Sequence, residues 1–283
     1  MKLYHKKNEL SLFIEEAKAE NKLVGFVPTM GALHDGHLSL VNKALIQNDV
    51  VVISIFVNPT QFDKQEDLKK YPRTLEADVS LLKSLKAENI AVYAPNAEDV
   101  YGDKIMSMSF NFDGLEDEME GAFRKGHFDG VGTIVKRLFE IIKPDNAYFG
   151  EKDFQQLQII KKLVEKHKMP VNIVACKIHR TKDGLAMSSR NTRLTKQQRK
   201  VAPFIFRILK SAKIKFGTKS AKYVTEWVEA QFRKQPLLDL EYFTIAEASS
   251  LKPVKRKSNK KSYRAFIAVY AGDIRLIDNI ALN

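Results

Sequence analysis

The feature that most constrains this chain is an alternation running through its first 176 residues. Short apolar runs at Leu23–Val27, Val50–Val57, Ile90–Tyr93, Ala147–Phe149 and Val171–Ala175 are rich in Val, Ile and aromatic residues. Each is bounded by Pro, Asn or Gly and reads as a strand. Between them lie helical patterns. The clearest places Val131, Ile134, Val135, Leu138, Phe139 and Ile142 on one face at i, i+3, i+4 spacing. Strands apolar on both faces, alternating with helices, predict a parallel sheet covered by helices: the doubly wound, Rossmann-like α/β class. Ligands in such folds bind beyond the carboxyl ends of the strands, so chemistry is expected in the segments that follow them.

After Cys176 the texture changes. A polar stretch, Lys177–Arg193, leads into helical patterns over roughly 196–216 and 220–232, then into β-rich segments at Leu238–Ala246 and Tyr263–Tyr270. We therefore expect two domains, a Rossmann-like one over 1–176 and a smaller α+β one over 177–283. The net charge of +13 divides unevenly between them. Residues 177–283 hold 24 Lys and Arg against 8 Asp and Glu, while residues 1–176 carry a slight acidic excess. Such an excess of cations suits nucleic acid, or a smaller polyanion met by a closing lid.

The single cysteine, Cys176, rules out an internal disulfide and points to a reducing compartment. The N-terminal residues show no continuous apolar signal core, and the most apolar run, Val50–Val57, is far short of the ~20 residues of a membrane span. A soluble, cytoplasmic protein is the expectation.

Five segments after strands or at the domain junction carry chemistry-bearing residues. The first, Pro28–Leu38, has Gly31 and Gly36 for close backbone approach, and places His34 and His37 on one side of a helix's first turn. Backbone N–H groups and the helix dipole make that end an anion site, where two imidazoles can donate to phosphoryl oxygens; a metal pair or ordinary surface histidines are the other readings. In the second, Phe56–Phe62, the amides of Asn58 and Gln61 suit hydroxyls and a carboxylate, or simply a capped turn. The third, Gly121–Gly130, carries Arg124 and His127 among three glycines, as a substrate-covering segment or a flexible connection. In the fourth, Phe149–Gln156, Lys152 offers a cation to phosphate and Asp153 a cap or hydroxyl acceptor. The fifth, Asp183–Asn191, gathers Ser188, Ser189 and Arg190 as a polyanion cradle.

Together these segments resemble the pantoate–β-alanine ligases, a family of the nucleotidyltransferase superfamily related to class I aminoacyl-tRNA synthetases. The resemblance runs from Pro28–His37 through Asn58-Pro59-Thr60-Gln61-Phe62, Tyr71–Thr74, Gly126–Thr133, Gly150–Gln156 and Ser188–Asn191 to Gly272–Asn279. It implies that ATP activates pantoate as an acyl adenylate, which β-alanine then captures. It further implies that Met30, Gly31, Ala32, Leu33, His34, Asp35, Gly36 and His37 hold ATP with Gly150, Glu151, Lys152 and Asp153, and with Met187, Ser188, Ser189 and Arg190. The backbone at His179 would touch adenine. His34, His37, Lys152 and Arg190 would be catalytic, His37 as proton donor. Gln61 and Gln156 would bind pantoate, with Asn58, Arg124 and His127 beside them, and Gln61 would also meet β-alanine. Magnesium would ride on the ATP phosphates, with Asp78 as the one acid placed to reach it, because Ala77 stands where some relatives carry a second. The family also implies a homodimer. Two rivals remain: another adenylate-forming or nucleotidylyl-transferring enzyme of the superfamily, and an RNA-binding protein using the basic C-terminal third.

Overall fold

Valine and isoleucine, stiff at χ1 and branched at Cβ, favour extended backbone, and the apolar runs do form strands. In the computed structural model, which describes residues 1–62 and 65–283, the chain divides into two compact units. The first comprises Met1–Glu151 and Gln156–Lys177; the second comprises Lys152–Gln155 and Ile178–Asn283. A single cut after residue 176 does not give Lys152–Gln155 to the second unit.

In chain order the first unit runs β1 (Lys2–Tyr4), α1 (Lys7–Ala19), β2 (Val24–Thr29), α2 (Asp35–Gln47), β3 (Val50–Ile55), α3 (Gln65–Lys70), α4 (Leu75–Lys83) and β4 (Ile90–Tyr93). It continues with α5 (Ala97–Tyr101), α6 (Met119–Phe123), α7 (His127–Ile142), β5 (Asn146–Gly150), α8 (Phe154–Lys166) and β6 (Asn172–Cys176). The first two residues of α8 group with the second unit. The strands pair in parallel in the order β1-β4-β3-β2-β5-β6. From β2 the chain winds one way through β3 and β4, then returns to wind the other way through β5 and β6. The fold is the doubly wound α/β class expected.

Reversal of direction puts the topological switch point between β2 and β5, where a crevice opens at the carboxyl ends. Among the described residues the β2–β5 ladder joins only Gly25 to Asn146 and Phe26 to Ala147, whereas β2 and β3 pair over six positions. Thr29, at the end of β2, therefore feeds its loop directly into that crevice.

Side chains of β2, β3 and β4 are buried on both faces. On one side Val41, Ala44 and Leu82 pack on Val27, Val51, Ile53, Ile90 and Val92. The predicted stripe of α7 is buried in full, and Phe139 meets Phe26 and Phe149 edge-on. Each such side chain contributes ~1.5–3 kcal/mol through the water it sheds. The edge strand β1 has no apolar run to announce it; its three residues are held by pairing with Ala91, Val92 and Tyr93. Cys176 is buried at the end of β6, and burial pushes its thiol pKa up.

Polar groups line the opposite, amino ends of the strands. Asn172 donates to Asn146 (2.9 Å), Asn146 to Asn48 (2.8 Å), and Asn48 to the Tyr148 hydroxyl (2.7 Å), which in turn donates to Gln47 (3.0 Å). Gly25 leaves room for this row, since a Cβ there would lie 2.6 Å from the Asn48 amide nitrogen.

The second unit holds α9 (Lys196–Val201), α10 (Phe204–Thr218), α11 (Ala221–Phe232) and an antiparallel sheet β7 (Asp239–Glu247), β8 (Tyr263–Ala271), β9 (Ile274–Ala281), in that order. The helical pattern expected over 196–216 is interrupted between Val201 and Phe204, where Pro203 cannot donate a backbone hydrogen bond. β9 was not anticipated, although Gly272-Asp273 between two apolar runs is a hairpin signal; Gly272 takes φ +62°. Helices α10 and α11 cover one sheet face through Ile205, Leu209, Ala212, Val224 and Val228, against Ala265, Ile267, Val269, Ile274 and Leu276.

Candidate active site

The loop after β2 is shaped by a carboxylate from α4. Gly31 adopts φ +83° and Ala32 φ +48°, left-handed values that cost a non-glycine residue about 1 kcal/mol or more. Asp78 holds them there, accepting from the N–H of Ala32 (3.0 Å), the N–H of Leu33 (2.7 Å) and the Thr74 hydroxyl (3.2 Å). The residue is 3% exposed, so these charge-assisted bonds act away from water. Asp78→Asn would turn one acceptor into a donor facing these N–H groups. We expect it to destabilise the chain by ~1–3 kcal/mol, read as a lowered denaturation midpoint in urea.

Asp78 delivers the loop to the start of α2. The Nδ1 of His34, the N-cap residue, accepts from the N–H of Gly36 (3.1 Å), and the Nδ1 of His37 accepts from the N–H of His34 (3.3 Å). The two form a capping box built from histidines rather than Ser and Glu. Backbone N–H groups can only donate, so each neutral ring must carry its proton on Nε2. The rings lie with centroids 4.1 Å apart. Two Nε2–H donors thus stand at a helix N-terminus, the arrangement an anion requires.

A second chain of hydrogen bonds fixes Gln61. The Gly130 carbonyl can only accept, so Asn58 turns its Nδ2 toward it (3.2 Å) and also donates to Gln61 Oε1 (3.1 Å). Asn58 Oδ1 in turn accepts from the hydroxyls of Tyr101 (2.5 Å) and Thr60 (3.1 Å). Burial raises the Tyr101 pKa, which keeps that hydroxyl protonated and donating. Gln61 donates from its side-chain nitrogen to the Met30 sulfur (3.1 Å). Its own carbonyl accepts from His127 Nδ1–H (2.8 Å) and Arg124 (3.3 Å). The contact that seats this turn is close: a Cβ on Gly130 would lie 2.2 Å from the Thr60 carbonyl oxygen.

Met30, Asn58, Gln61, Arg124 and His127 are thereby brought into one hydrogen-bonded group, while Gln156 lies half-buried on α8. Removing the Tyr101 hydroxyl frees the Asn58–Gln61 amides to turn. For Tyr101→Phe we expect the loss of one buried hydrogen bond worth ~1–1.5 kcal/mol, read as a lowered denaturation midpoint in urea.

In the second unit the segment 179–187 is a tight hairpin. Met187 N–H donates to the His179 carbonyl (3.0 Å), Thr181 N–H to Leu185 (2.9 Å), and Arg180 pairs with Ala186. His179 and Met187 therefore stand side by side. Ser188 caps the short 3-10 turn Ser189–Arg193 by accepting from Arg190 N–H (3.3 Å). Lys152 lies 3.6 Å from exposed Asp153. Glu151, Lys152 and Asp153 form one 3-10 turn directly after Gly150.

The family model described as pantoate-beta-alanine ligase matches residues 2–281. The chain belongs to the pantoate–β-alanine ligases. It is 57% identical over 283 residues to a pantothenate synthetase of Christiangramia forsetii, covering 100% of both. The crystal structure of pantothenate synthetase from Thermus thermophilus superposes with TM-score 0.91 at 37% identity, over 100% of this chain and 99% of that one. The pantoate-beta-alanine ligase of Francisella tularensis, crystallised with beta-gamma ATP and beta-alanine, gives 0.80 at 33% identity, over 100% and 98%.

For this ligase, sequence reasoning missed Tyr101, whose partner Asn58 is 43 residues away and outside any local pattern. It placed magnesium mainly on the ATP phosphates, with Asp78 as the one acid at hand to reach it. The carboxylate is engaged with loop N–H groups, and among the described residues no group of three His, Cys, Asp or Glu could hold a metal ion. Among the described residues, too, no helix of the ligase is long and apolar enough to cross a membrane.

Proposed function

We propose that this chain condenses pantoate with β-alanine at the cost of ATP, releasing AMP and pyrophosphate, in two steps. The observation that carries the reading is the family match across residues 2–281; the geometry of the histidine pair and of Gln61 supports the mechanism that follows. First the pantoate carboxylate oxygen attacks the α-phosphorus, forming pantoyl adenylate as the bond to pyrophosphate breaks. Negative charge then grows on the departing oxygens. The Nε2–H groups of His34 and His37 meet that charge, His37 as the proton donor, together with Lys152, Ser188, Ser189 and Arg190. Preorganised donors are worth most where charge develops and water is displaced, ~3–4 kcal/mol each.

In the second step the neutral amine of β-alanine attacks the activated carbonyl; the amide bond forms, AMP departs, and the amine loses its proton. Gln61 serves both acids by offering an N–H donor of fixed orientation, with Gln156, Asn58, Arg124 and His127 completing the pantoate site. Positioning of this kind replaces an encounter between two small molecules and supplies up to ~7–11 kcal/mol. Met30–His37, Gly150–Asp153, the His179 backbone and Met187–Arg190 take the nucleotide. Magnesium enters as part of the MgATP substrate. The Asp78 carboxylate, engaged by the Ala32 and Leu33 N–H groups and the Thr74 hydroxyl, does not fit a protein-held metal. We place the reaction in the cytoplasm, catalysed by a homodimer.

The test is AMP formation with ATP, pantoate and a panel of amines. AMP should require pantoate, and pantothenate should form only with β-alanine. AMP release that ignores pantoate would overturn the reading in favour of another adenylate-forming enzyme.

A further inference from the structure

The Gly272–Asn279 motif has so far no task, and its last two residues are among the few buried polar ones of the second unit. They are neighbours on β9, so their side chains leave opposite faces of the sheet. Asp278 shares the face covered by α10 and α11, opposite Ile267. There it takes a two-point grip from Arg180, with Nη1 to Oδ2 at 2.6 Å and Nη2 to Oδ1 at 2.8 Å. The Arg180 guanidinium stacks 3.7 Å from the Phe206 ring centroid and also donates to the Gly184 carbonyl (3.1 Å). Arg180 thus ties the arm of the hairpin 179–187 to β9 and the hairpin's tip to its own arm.

Asn279 is 2% exposed and shares the other face with Phe266, its partner on β8. Its Oδ1 accepts from Arg264, whose guanidinium lies 4.1 Å from the Phe154 ring centroid. With the oxygen so engaged, the amide nitrogen must point the other way, and it donates to the Lys152 carbonyl at 2.9 Å. Phe154 closes the contact against Phe266, ring centroids 5.9 Å apart.

We propose that Asp278 and Asn279 are positioning residues for nucleotide binding: one step of β9 sets Lys152 from one face and the His179–Met187 hairpin from the other. The inference rests on the reading that both segments handle ATP. A buried ion pair and a buried amide are weak sources of net stability, because desolvation offsets much of their attraction. Holding two distant segments in fixed relation is a use for which they suit better than apolar residues, since each bond specifies a direction.

Asn279→Asp tests it by presenting a carboxylate oxygen to the Lys152 carbonyl at unchanged volume, and Asn279→Ala by removing the bond. Displacement of a binding group by about 1 Å costs on the order of 100-fold. Both variants should lose about that factor in pantoate-dependent ATP–pyrophosphate exchange, with a raised KM for ATP and a KM for pantoate within about twofold of wild type. A purely structural defect would lower the exchange rate with both KM values unchanged or would raise both together, and either result would overturn the inference, as would wild-type exchange in Asn279→Ala. If neither variant folds, Arg180→Lys, which keeps the charge but loses the two-point grip, decides by the same split. Lys152→Ala serves as the reference. Wild-type exchange in Lys152→Ala would instead overturn the nucleotide reading itself.

Discussion

Replacing His37 with alanine is expected to reduce pantoate-dependent ATP–pyrophosphate exchange by two to three orders of magnitude, corresponding to ~3–4 kcal/mol lost where charge grows on pyrophosphate. The capping geometry complicates that experiment, because His37 also accepts from the His34 N–H at the third position of α2. Alanine removes both functions at once, and the lost cap alone is worth ~0.5–2 kcal/mol of stability. His37→Gln separates them, since glutamine at this position reaches back to the N-cap N–H in ordinary capping boxes. We expect His37→Gln to melt close to wild type yet exchange as poorly as His37→Ala. Normal exchange by the glutamine variant would reduce His37 to a helix cap.

A methyl group on Gly130 should be nearly as damaging, from a position outside the set of substrate ligands. The added Cβ would lie 2.2 Å from the Thr60 oxygen, 2.5 Å from its carbonyl carbon and 2.7 Å from the Gln61 Cα. All three are backbone atoms, so α7 or the Pro59–Gln61 turn must move. Overpacking of this kind costs ~1–3 kcal/mol in stability. The larger effect is on Gln61, whose displacement by about 1 Å should lower kcat/KM for pantoate on the order of 100-fold. Steady-state kinetics of Gly130→Ala at fixed saturating ATP reads this directly. An unchanged kcat/KM would mean that the turn tolerates displacement and that Gln61 does not depend on Gly130.

How much was legible in the sequence follows the range of the interactions. The α/β class could be read because strand and helix periods are local, and the stripe Val131–Ile142 needed no partner to be recognised. The candidate residues after β2, β3 and β5 could be read because the doubly wound class places function at strand ends. What could not be read is who holds whom. Asp78 meets Ala32 across 46 residues, Tyr101 meets Asn58 across 43, and Asn279 meets Lys152 across 127. Nothing in the spacing of Leu75–Lys83 distinguishes a carboxylate that binds backbone N–H groups from one that awaits a cation. The charge carried the opposite lesson. Much of the excess among residues 177–283 sits at exposed positions such as Lys255, Arg256, Lys260 and Lys261, while Arg180 spends its charge on Asp278.

The row of amides at the amino ends of β5 and β6 has a consequence for how the sheet finds its pairing. A strand apolar on both faces can slide two residues along its neighbour and still bury the same kind of side chain, so hydrophobicity alone scarcely penalises the slip. In this sheet such a slide would carry Asn146 about 6–7 Å away from Asn48 and Asn172, leaving the buried Asn48 oxygen and the half-buried Asn146 amide without these partners. Each orphaned group costs ~1–3 kcal/mol. The row therefore works like a vernier: it adds little to the depth of the native state and raises the energy of its nearest impostors. Because the crevice at the far ends is only as well aligned as the strands that lead to it, a two-residue error at the amino ends would separate Thr29 from Gly150.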